Sequence, residues 1–525
     1  MADVRSVIEQ VVGRTTGQGF TLKDLDDFPH SEYSQRLTLY EELGKWFTGE
    51  MLVDYVKVGK KKIDKYPIRL NPIYGACLKH AYALFGEFPD DIDGSLIQPR
   101  VKNAELLTDE RTKVAQQALI NMWSENNGAA LQIEAGISSQ IYGGVVFRLA
   151  YDPFDINRKI PLRIELLKPT EFMAIPRDDD PWTLKEAWLI REITRKTAKE
   201  LGVNLSRDKG YYVEHWKPQE YEITVDDTPI GFVTGNEIFR IGGENPYNFV
   251  PFVYIPHIRV GGFWGTGIIQ ESVKGLTREL NSRFADAGDA VSDDTHVVGV
   301  MKNVRGAVRV VEPIPGLKLL DIGSAQTFTG GEAEPNIEFP NIKRMSEPVL
   351  RLIEELTDEF RREVYVPAVA EGEDEGSQRS SATLTTRMWP LVSHIRQERV
   401  MWSTGMRKLH KMALIMMKTK KLGNITAEHL DLRLKNRWYS ILPRDRQNLI
   451  DELAVRAANR IGSLEHLLEL AGDVENVPQE LTKIMQQMEF EAKLKTMARP
   501  APQEGQSDSN AKANATRPER KEKES

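Results

Sequence analysis

The residues of this chain whose types could do chemistry are few, and the most suggestive sit side by side. Asp293, Asp294 and His296, with Thr295 between them, place two carboxylates and an imidazole within four positions. Those are donors that could hold a divalent metal and activate water. They also close a long amphipathic pattern, where the same residues serve as a solvated or subunit-bridging helix end, and that is the reading adopted. Asp178, Asp179 and Asp180 precede Pro181 and read as a turn, with a cation site as the lesser alternative. A phosphate cradle would need G-x-x-x-x-G-K-[ST]. The Gly44-Lys45 and Gly59-Lys60 pairs lack both the earlier glycine and the following hydroxyl. H-E-x-x-H, C-x-x-C and G-x-S-x-G are also missing. No catalytic residue, metal site or cofactor is therefore expected, and the chain reads as a non-enzyme.

Composition narrows the partners. The 525 residues allow several domains. Charged residues make up 28% of them and the net charge is −7, so a polyanion would not be held by bulk charge. The lone cysteine, Cys77, precludes an internal disulfide and suits a reducing compartment. No signal peptide or membrane-length apolar run is legible, so no membrane partner is expected. Trp46, Trp123, Trp264, Trp389, Trp402 and Trp438 read as core or interface residues rather than base-stacking platforms.

The chain is organised around two amphipathic rods. In the first, Ile269, Val273, Leu276, Leu280, Phe284, Ala287 and Val291 recur at steps of three and four. Ile342, Met345, Val349, Leu352, Leu356 and Phe360 repeat the pattern in the second. Charges cover the other sides, so each rod should meet a partner along one seam. The first, from Gly267 to Asp293, would be roughly 40 Å long. Between the rods, residues 297–311 alternate β-prone runs with glycines, followed by Pro313, Pro315 and Gly316. Periodicity alone admits either a projecting excursion or a helical hairpin inside one globular domain.

Upstream, helices are expected at Val4–Gly13, from Ser31 to Gly49, and over Asn71–Phe85, Leu106–Asn127 and Ala129–Tyr142. The Gly143-Gly144 pair then lets the chain turn. Strands follow at Val145–Tyr151, Leu162–Leu167, Phe172–Ile175, Lys185–Thr194, Gly210–Lys217, Gln219–Val225 and Pro251–His257. Helices followed by antiparallel strands make the fold class α+β. After the second rod comes a polar, acid-rich loop at residues 370–381. A long helix capped by Ser381 or Thr383 follows, with a kink expected at Pro390. Helices Asp445–Ile461, Ser463–Ala471 and Pro478–Met497 precede a polar tail expected to be disordered.

Taken in order, these stretches resemble the portal proteins of tailed bacteriophages. The resemblance covers roughly residues 31–497. It is carried by the Trp46-Phe47 helix, the Asn71–Pro89 segment, and Leu166-Leu167-Lys168-Pro169-Thr170-Glu171. Gly265-x-Gly267 leading to Leu280-Asn281, Ser380-Ser381-Ala382-Thr383-Leu384, Leu442-Pro443-Arg444-Asp445 and Gly462-Ser463 complete it. It implies an N-terminal arm (1–30), an α/β wing (31–266), stem helices (267–295 and 341–365) and a small β-containing clip (296–340). A tunnel loop (366–382), a kinked wing helix (383–423), a helical crown (424–497) and the tail (498–525) account for the rest. Portals are similar in forming closed rings, usually dodecamers, in the virion, at the portal vertex of the capsid, after assembly in the host cytoplasm. Double-stranded DNA passes through them during packaging and ejection. The resemblance implies as partners the large terminase subunit, adaptor or tail proteins, the major capsid protein and often a scaffolding protein.

On this reading Val273, Leu276, Leu280, Phe284, Val349, Leu352, Leu356 and Phe360 form the stem interface between neighbouring copies. Glu371, Glu373, Asp374 and Glu375, against Arg379, line the channel. Lys302, Arg305, Arg309 and Lys318 make the clip locally basic, able to meet either DNA or acids of adjacent subunits. An acidic lining suits a conduit, because each phosphate neutralised by protein would add affinity that translocation must break. The rival classes are a nucleic-acid enzyme of the packaging machinery and a non-viral helical scaffold.

Overall fold

The computed structural model describes residues 15–16, 28–52, 55–58, 61–64, 69–89, 92, 94–101, 110–153, 158–234, 237–240, 242–295, 297–302, 309–314, 317–321, 336–338, 347–372, 386–442, 446–471 and 477–497. The expected helix at Val4–Gly13, the caps Ser381 and Thr383, and the tail 498–525 lie outside them. The chain divides into two compact units, Met1–Asp445 and Arg446–Ser525. Antiparallel sheets and helices are mixed within the first, so the α+β class holds.

Among the described residues the first unit opens with the helices α1 (His30–Thr48), α2 (Pro72–Phe85), α3 (Glu110–Glu125) and α4 (Gly128–Tyr142). Local chemistry sets their limits. Asn71 caps α2 by accepting from Tyr74 N at 3.4 Å, and it donates to Phe47 O at 2.8 Å, so one side chain both starts α2 and ties it to α1. Pro72 follows at the first helical position, where its missing N–H costs nothing. A short strand, β1 (Gln98–Val101), lies between α2 and α3.

In the first large sheet β2 (Gly144–Tyr151) pairs with β3 (Leu162–Leu167) on one side and β8 (Phe252–Pro256) on the other, all antiparallel. A second antiparallel sheet runs β7 (Glu220–Val225), β6 (Lys209–Trp216), β5 (Leu184–Thr194), β4 (Phe172–Pro176). Phe252, Val146, Leu167, Phe172 and Leu189 pack the two sheets together. Arg148 bridges them through Glu165 Oε2 at 3.0 Å and Glu214 Oε2 at 2.7 Å, and Tyr212 and Trp216 donate to the same Glu214 carboxylate. Removing one partner of such a buried ion pair leaves the other charge uncompensated, so the two sheets are tied together at this point.

The chain then enters α5 (Glu271–Thr295) through Gly265 and Gly267. A side chain at either would collide with α4's end: a Cβ on Gly265 meets Gly143 O at 2.3 Å, and one on Gly267 meets Gln140 O at 2.3 Å. The G-x-G spacing is thus a close-packing requirement. A four-stranded sheet follows, in the order β10 (Arg309–Ile314), β11 (Leu317–Asp321), β9 (Val297–Lys302), β12 (Asn336–Glu338). Its central pair, β9 with β11, is parallel. The chain returns in α6 (Glu347–Glu363), and the long α7 (Trp389–Lys420) comes after.

Pro390 lies in the first turn of α7, where a proline is tolerated, and a turn at Met388 separates α7 from the helical residues 386–387. α7 crosses the main core, its Trp402, Met406, Leu409 and Met417 packing with Trp123, Phe147 and Leu119. Trp46, Trp123 and Trp402 are fully buried, as a core reading requires, whereas Trp389 is 51% exposed. The expected boundary at Asn424 falls later. β13 (Leu434–Arg437) pairs with β1, and Asn436 and Trp438 both bond Ser403 of α7 at 2.9 Å, which holds this stretch in the first unit.

The second unit contains α8 (Arg446–Ala458), α9 (Leu464–Ala471) and α10 (Val477–Met497). Ser463 caps α9 by accepting from His466 N at 3.2 Å, as its position predicts. Among the described residues no helix is long and apolar enough to cross a membrane.

Candidate functional site

The site is the joint where α5 leaves the body, α6 returns to it and the chain sets off toward α7. The rods' apolar stripes were expected to face neighbouring copies, but the structure turns most of them inward. Val273, Leu280 and Phe360 are buried within this one chain, with Leu276, Phe284 and Leu356 packed beside them. Their cover is α1 and α2, through Tyr40, Leu43, Trp46, Ile73 and Cys77, as well as each other. The physical reason is that a stripe specifies only that it must be covered, and the nearest apolar surfaces belong to the same chain. Val349 is half-buried and Leu352 is 39% exposed, so of the eight Leu352 is the one exposed to another molecule.

Polar contacts lock the rods in place. Ser272 Oγ, at the start of α5, donates to Glu363 Oε2, at the end of α6, at 2.8 Å. Lys274 is buried on α5 between Glu42 of α1 at 2.8 Å and Glu271 at 2.7 Å. Burial pushes its ammonium down, yet the two carboxylates outweigh this and its pKa ends above the usual lysine value. Asn281 clamps Leu70, accepting from its N–H at 2.9 Å and donating to its carbonyl at 2.8 Å.

Where α6 ends, two consecutive residues of α2 hold it. His80 Nε2 donates to Val364 O at 2.6 Å. Lys79 pairs with Glu371, whose other oxygen receives Arg361 Nε at 2.9 Å and Nη2 at 2.6 Å. Burial raises the Glu371 carboxyl and these two cations more than reverse it, holding its pKa below the usual glutamate value. Glu371 is therefore a paired anchor at the root of the acidic loop and not a free charge. This corrects the expectation that it repels phosphate. Glu373, Asp374, Glu375 and Arg379 lie outside the described residues.

Beneath the anchor is a buried polar cluster that local sequence reasoning missed. Tyr365, in the left-handed region at φ 55°, stacks on His394 of α7 at 4.7 Å. His394 Nε2 lies 3.3 Å from His257 Nε2, and His257 Nδ1 lies 3.1 Å from Glu398 Oε1, which also accepts from Gln140 Nε2 at 2.8 Å. Burial holds the His80 imidazole down at about 4. His394 is held at about 3 by burial and then by its imidazole neighbours. Burial pushes the Glu398 carboxyl up, but His257 outweighs it and leaves a net depression. These residues come from α2, β8's end, α4 and α7, so no short motif could have announced them. Their only sequence signal is polar residues at positions that helical periodicity assigns to the core.

A pH dependence follows. In an unfolded chain the imidazoles of His80 and His394 titrate near 6.5, about the free value. The fold keeps them neutral, so below that value the unfolded state binds more protons and stability falls as pH drops toward 4 and 3. By pH 5 the expected loss is on the order of 2 kcal/mol per imidazole, with the Glu398 and Glu371 contributions lost lower still. Melting temperature measured between pH 7 and pH 4 should fall steeply, and less steeply in His394→Phe. A flat profile in the parent protein would show that these histidines are not held neutral.

The other expected site residues fall in the excursion. Lys302 pairs in register with Asn336, Lys318 with Val298 and Arg309 with Asp321. Arg305 and His296 lie outside the described residues. Asp178–Asp180 forms a turn: Asp180 accepts from Trp182 N at 3.1 Å and from Thr183 Oγ1 at 2.5 Å, while Asp179 pairs with Arg177 at 2.7 Å. Among the described residues no group of three or more His, Cys, Asp or Glu side chains could hold a metal ion.

The first unit joins an α+β body to a helix, a small sheet and a returning helix, and sequence comparison supplies the class. The chain belongs to the phage portal protein family of the SPP1 Gp6-like type, whose profile matches residues 101–493. No curated protein matches it. Among solved structures it is similar to the neck of an empty GTA particle computed with C6 symmetry. That match has 12% identity, covers 76% of this chain and 90% of that chain, and has a TM-score of 0.42. The neck of a native GTA particle computed with C12 symmetry is similar at 10% identity over 77% of this chain and 90% of that chain, with a TM-score of 0.39.

Proposed function

We propose that this protein forms a closed ring, a dodecamer, at one vertex of the capsid and serves there as the passage for double-stranded DNA during packaging and ejection. Membership of the portal family carries the reading. In this scheme α5 and α6 are the stem, the sheet between them the clip, residues 366–382 the tunnel loop and α7 the wing helix. The helices of the second unit belong to the crown. The large terminase subunit and then adaptor or tail proteins dock at the clip, and the major capsid protein, with a scaffolding protein during assembly, surrounds the wing. A heterologous contact repeated by rotation closes such a ring without leaving an open edge. DNA is handled without sequence specificity, since a passage must release every phosphate it meets.

Images of the purified protein test this: rings with an axial hole are expected, and a population of monomers would overturn it. The family is a structural one, so the protein alone should neither hydrolyse ATP nor cut DNA. A phosphate-release assay and a plasmid-nicking assay with added magnesium should both stay at background. Turnover that co-purifies with the ring and disappears in an Asp293→Ala, Asp294→Ala variant would restore the enzyme alternative.

A further inference from the structure

α7 carries a row of cations that no carboxylate among the described residues pairs with. Taking Arg396 as origin, Arg407, Lys411 and Lys418 all fall within about 60° of arc on an ideal helix, and they run for about 33 Å along it. All four are exposed. Among the described residues none forms an ion pair with a carboxylate: Arg407 reaches Ser403 O at 3.1 Å and Thr404 Oγ1 at 3.4 Å, and Arg396 lies over the Trp389 ring at 5.3 Å. The helix's one acid, Glu398, is buried on the opposite side. In a protein of net charge −7 whose other surface cations are repeatedly paired, such as Arg177, Lys209, Arg283 and Arg362, a one-sign row is unusual.

We infer that this face of α7 is a binding surface for the phosphate backbone of duplex DNA, separate from the passage itself. A row of cations without interleaved acids is the footprint of polyanion binding. The row is straight and rigid, being one side of a helix whose other side lies in the main core, and long flexible side chains on a rod can follow phosphates without reading bases. Val400, 61% exposed between Arg396 and Arg407, adds no charge to it. The inference rests on DNA being this protein's partner, but not on DNA passing through a ring.

The test uses the full chain as purified and a fluorescent random-sequence duplex of roughly 20 base pairs, about twice the length of the row at 3.4 Å per pair. Binding is followed by anisotropy as salt is raised. The parent should show a log–log salt slope of about −3 to −4, near −0.9 for each phosphate neutralised. The variant Arg396→Gln, Arg407→Gln, Lys411→Gln, Lys418→Gln should lose tenfold or more in affinity at low salt and show a much shallower slope, with melting temperature and particle size unchanged. Equal affinity and slope in the variant, or no binding by the parent, overturns the inference. So does a variant that keeps its DNA affinity but no longer forms the parent's particles, because the row would then be a contact between proteins. A ring with an axial hole whose variant binds DNA normally sinks this inference alone; a holeless monomer that binds through these four residues sinks the conduit reading alone.

Discussion

Leu280→Asp is expected to yield little soluble, folded protein, whereas Leu352→Asp should yield a folded protomer that fails to close into rings. Leu280 is 4% exposed in the cluster shared by α1, α2, α5 and α6. Removing a buried leucine costs about 2–5 kcal/mol, and an unpaired carboxylate in its place adds a further desolvation penalty. The sum is comparable to the whole stability of a typical domain, about 5–15 kcal/mol. Leu352 is 39% exposed on α6, so aspartate there meets water in the lone protomer and is penalised only if another copy covers it. Circular dichroism and sedimentation of both variants decide the matter. A Leu280→Asp protein that melts like the parent would show that the joint does not depend on this cluster. Normal rings from Leu352→Asp would place α6's outer face away from any neighbour.

That contrast marks how far the sequence could be read. The strands of the two large sheets were legible because alternation and turn residues bound them, and Leu162–Leu167 falls on the expected residues, whereas the short pair Gln98–Val101 and Leu434–Arg437 carries no such pattern. The stripes of α5 and α6 were legible as stripes, but periodicity carries no information about which molecule covers them. A fold whose rods pack on α1 and α2 and a ring whose rods pack on each other share the same pattern. The joint was less legible still. Lys79 and His80 meet Glu371 and Val364 across nearly 300 positions, and the cluster of His257, His394 and Glu398 is assembled from separate elements. Glu371 looked like one acid among four because its partners, Lys79 and Arg361, carry no local mark. The α7 row was written in the sequence at spacings of 11, 4 and 7 residues, yet only burial of the opposite face shows that these four cations stand together.

The same pairing reshapes the expectation for the acidic loop. Reversing Glu371 would break an anchor and confuse loss of the joint with change of the loop's charge, so the informative variant is Glu373→Lys, Asp374→Lys, Glu375→Lys with Glu371 kept. If this loop lines the passage, three carboxylates per subunit repel DNA weakly, and their reversal gives every subunit of the ring three cations facing phosphate. Each phosphate so neutralised releases counterions, and affinity then rises steeply as salt falls. DNA packaging in vitro should slow or stall, most severely at low ionic strength, where the screening length grows from about 10 Å at 0.1 M to about 30 Å at 0.01 M. Ring formation should be unaffected, because the anchor of Lys79, Arg361 and Glu371 and the hydrogen bond from His80 remain in place. Glu371→Gln is the complementary control: it should lower the melting temperature by weakening the root while adding no positive charge. Packaging by the triple variant at the parent's rate across this salt range would remove the lining role from the loop, and so would a ring structure with these residues on its outer surface.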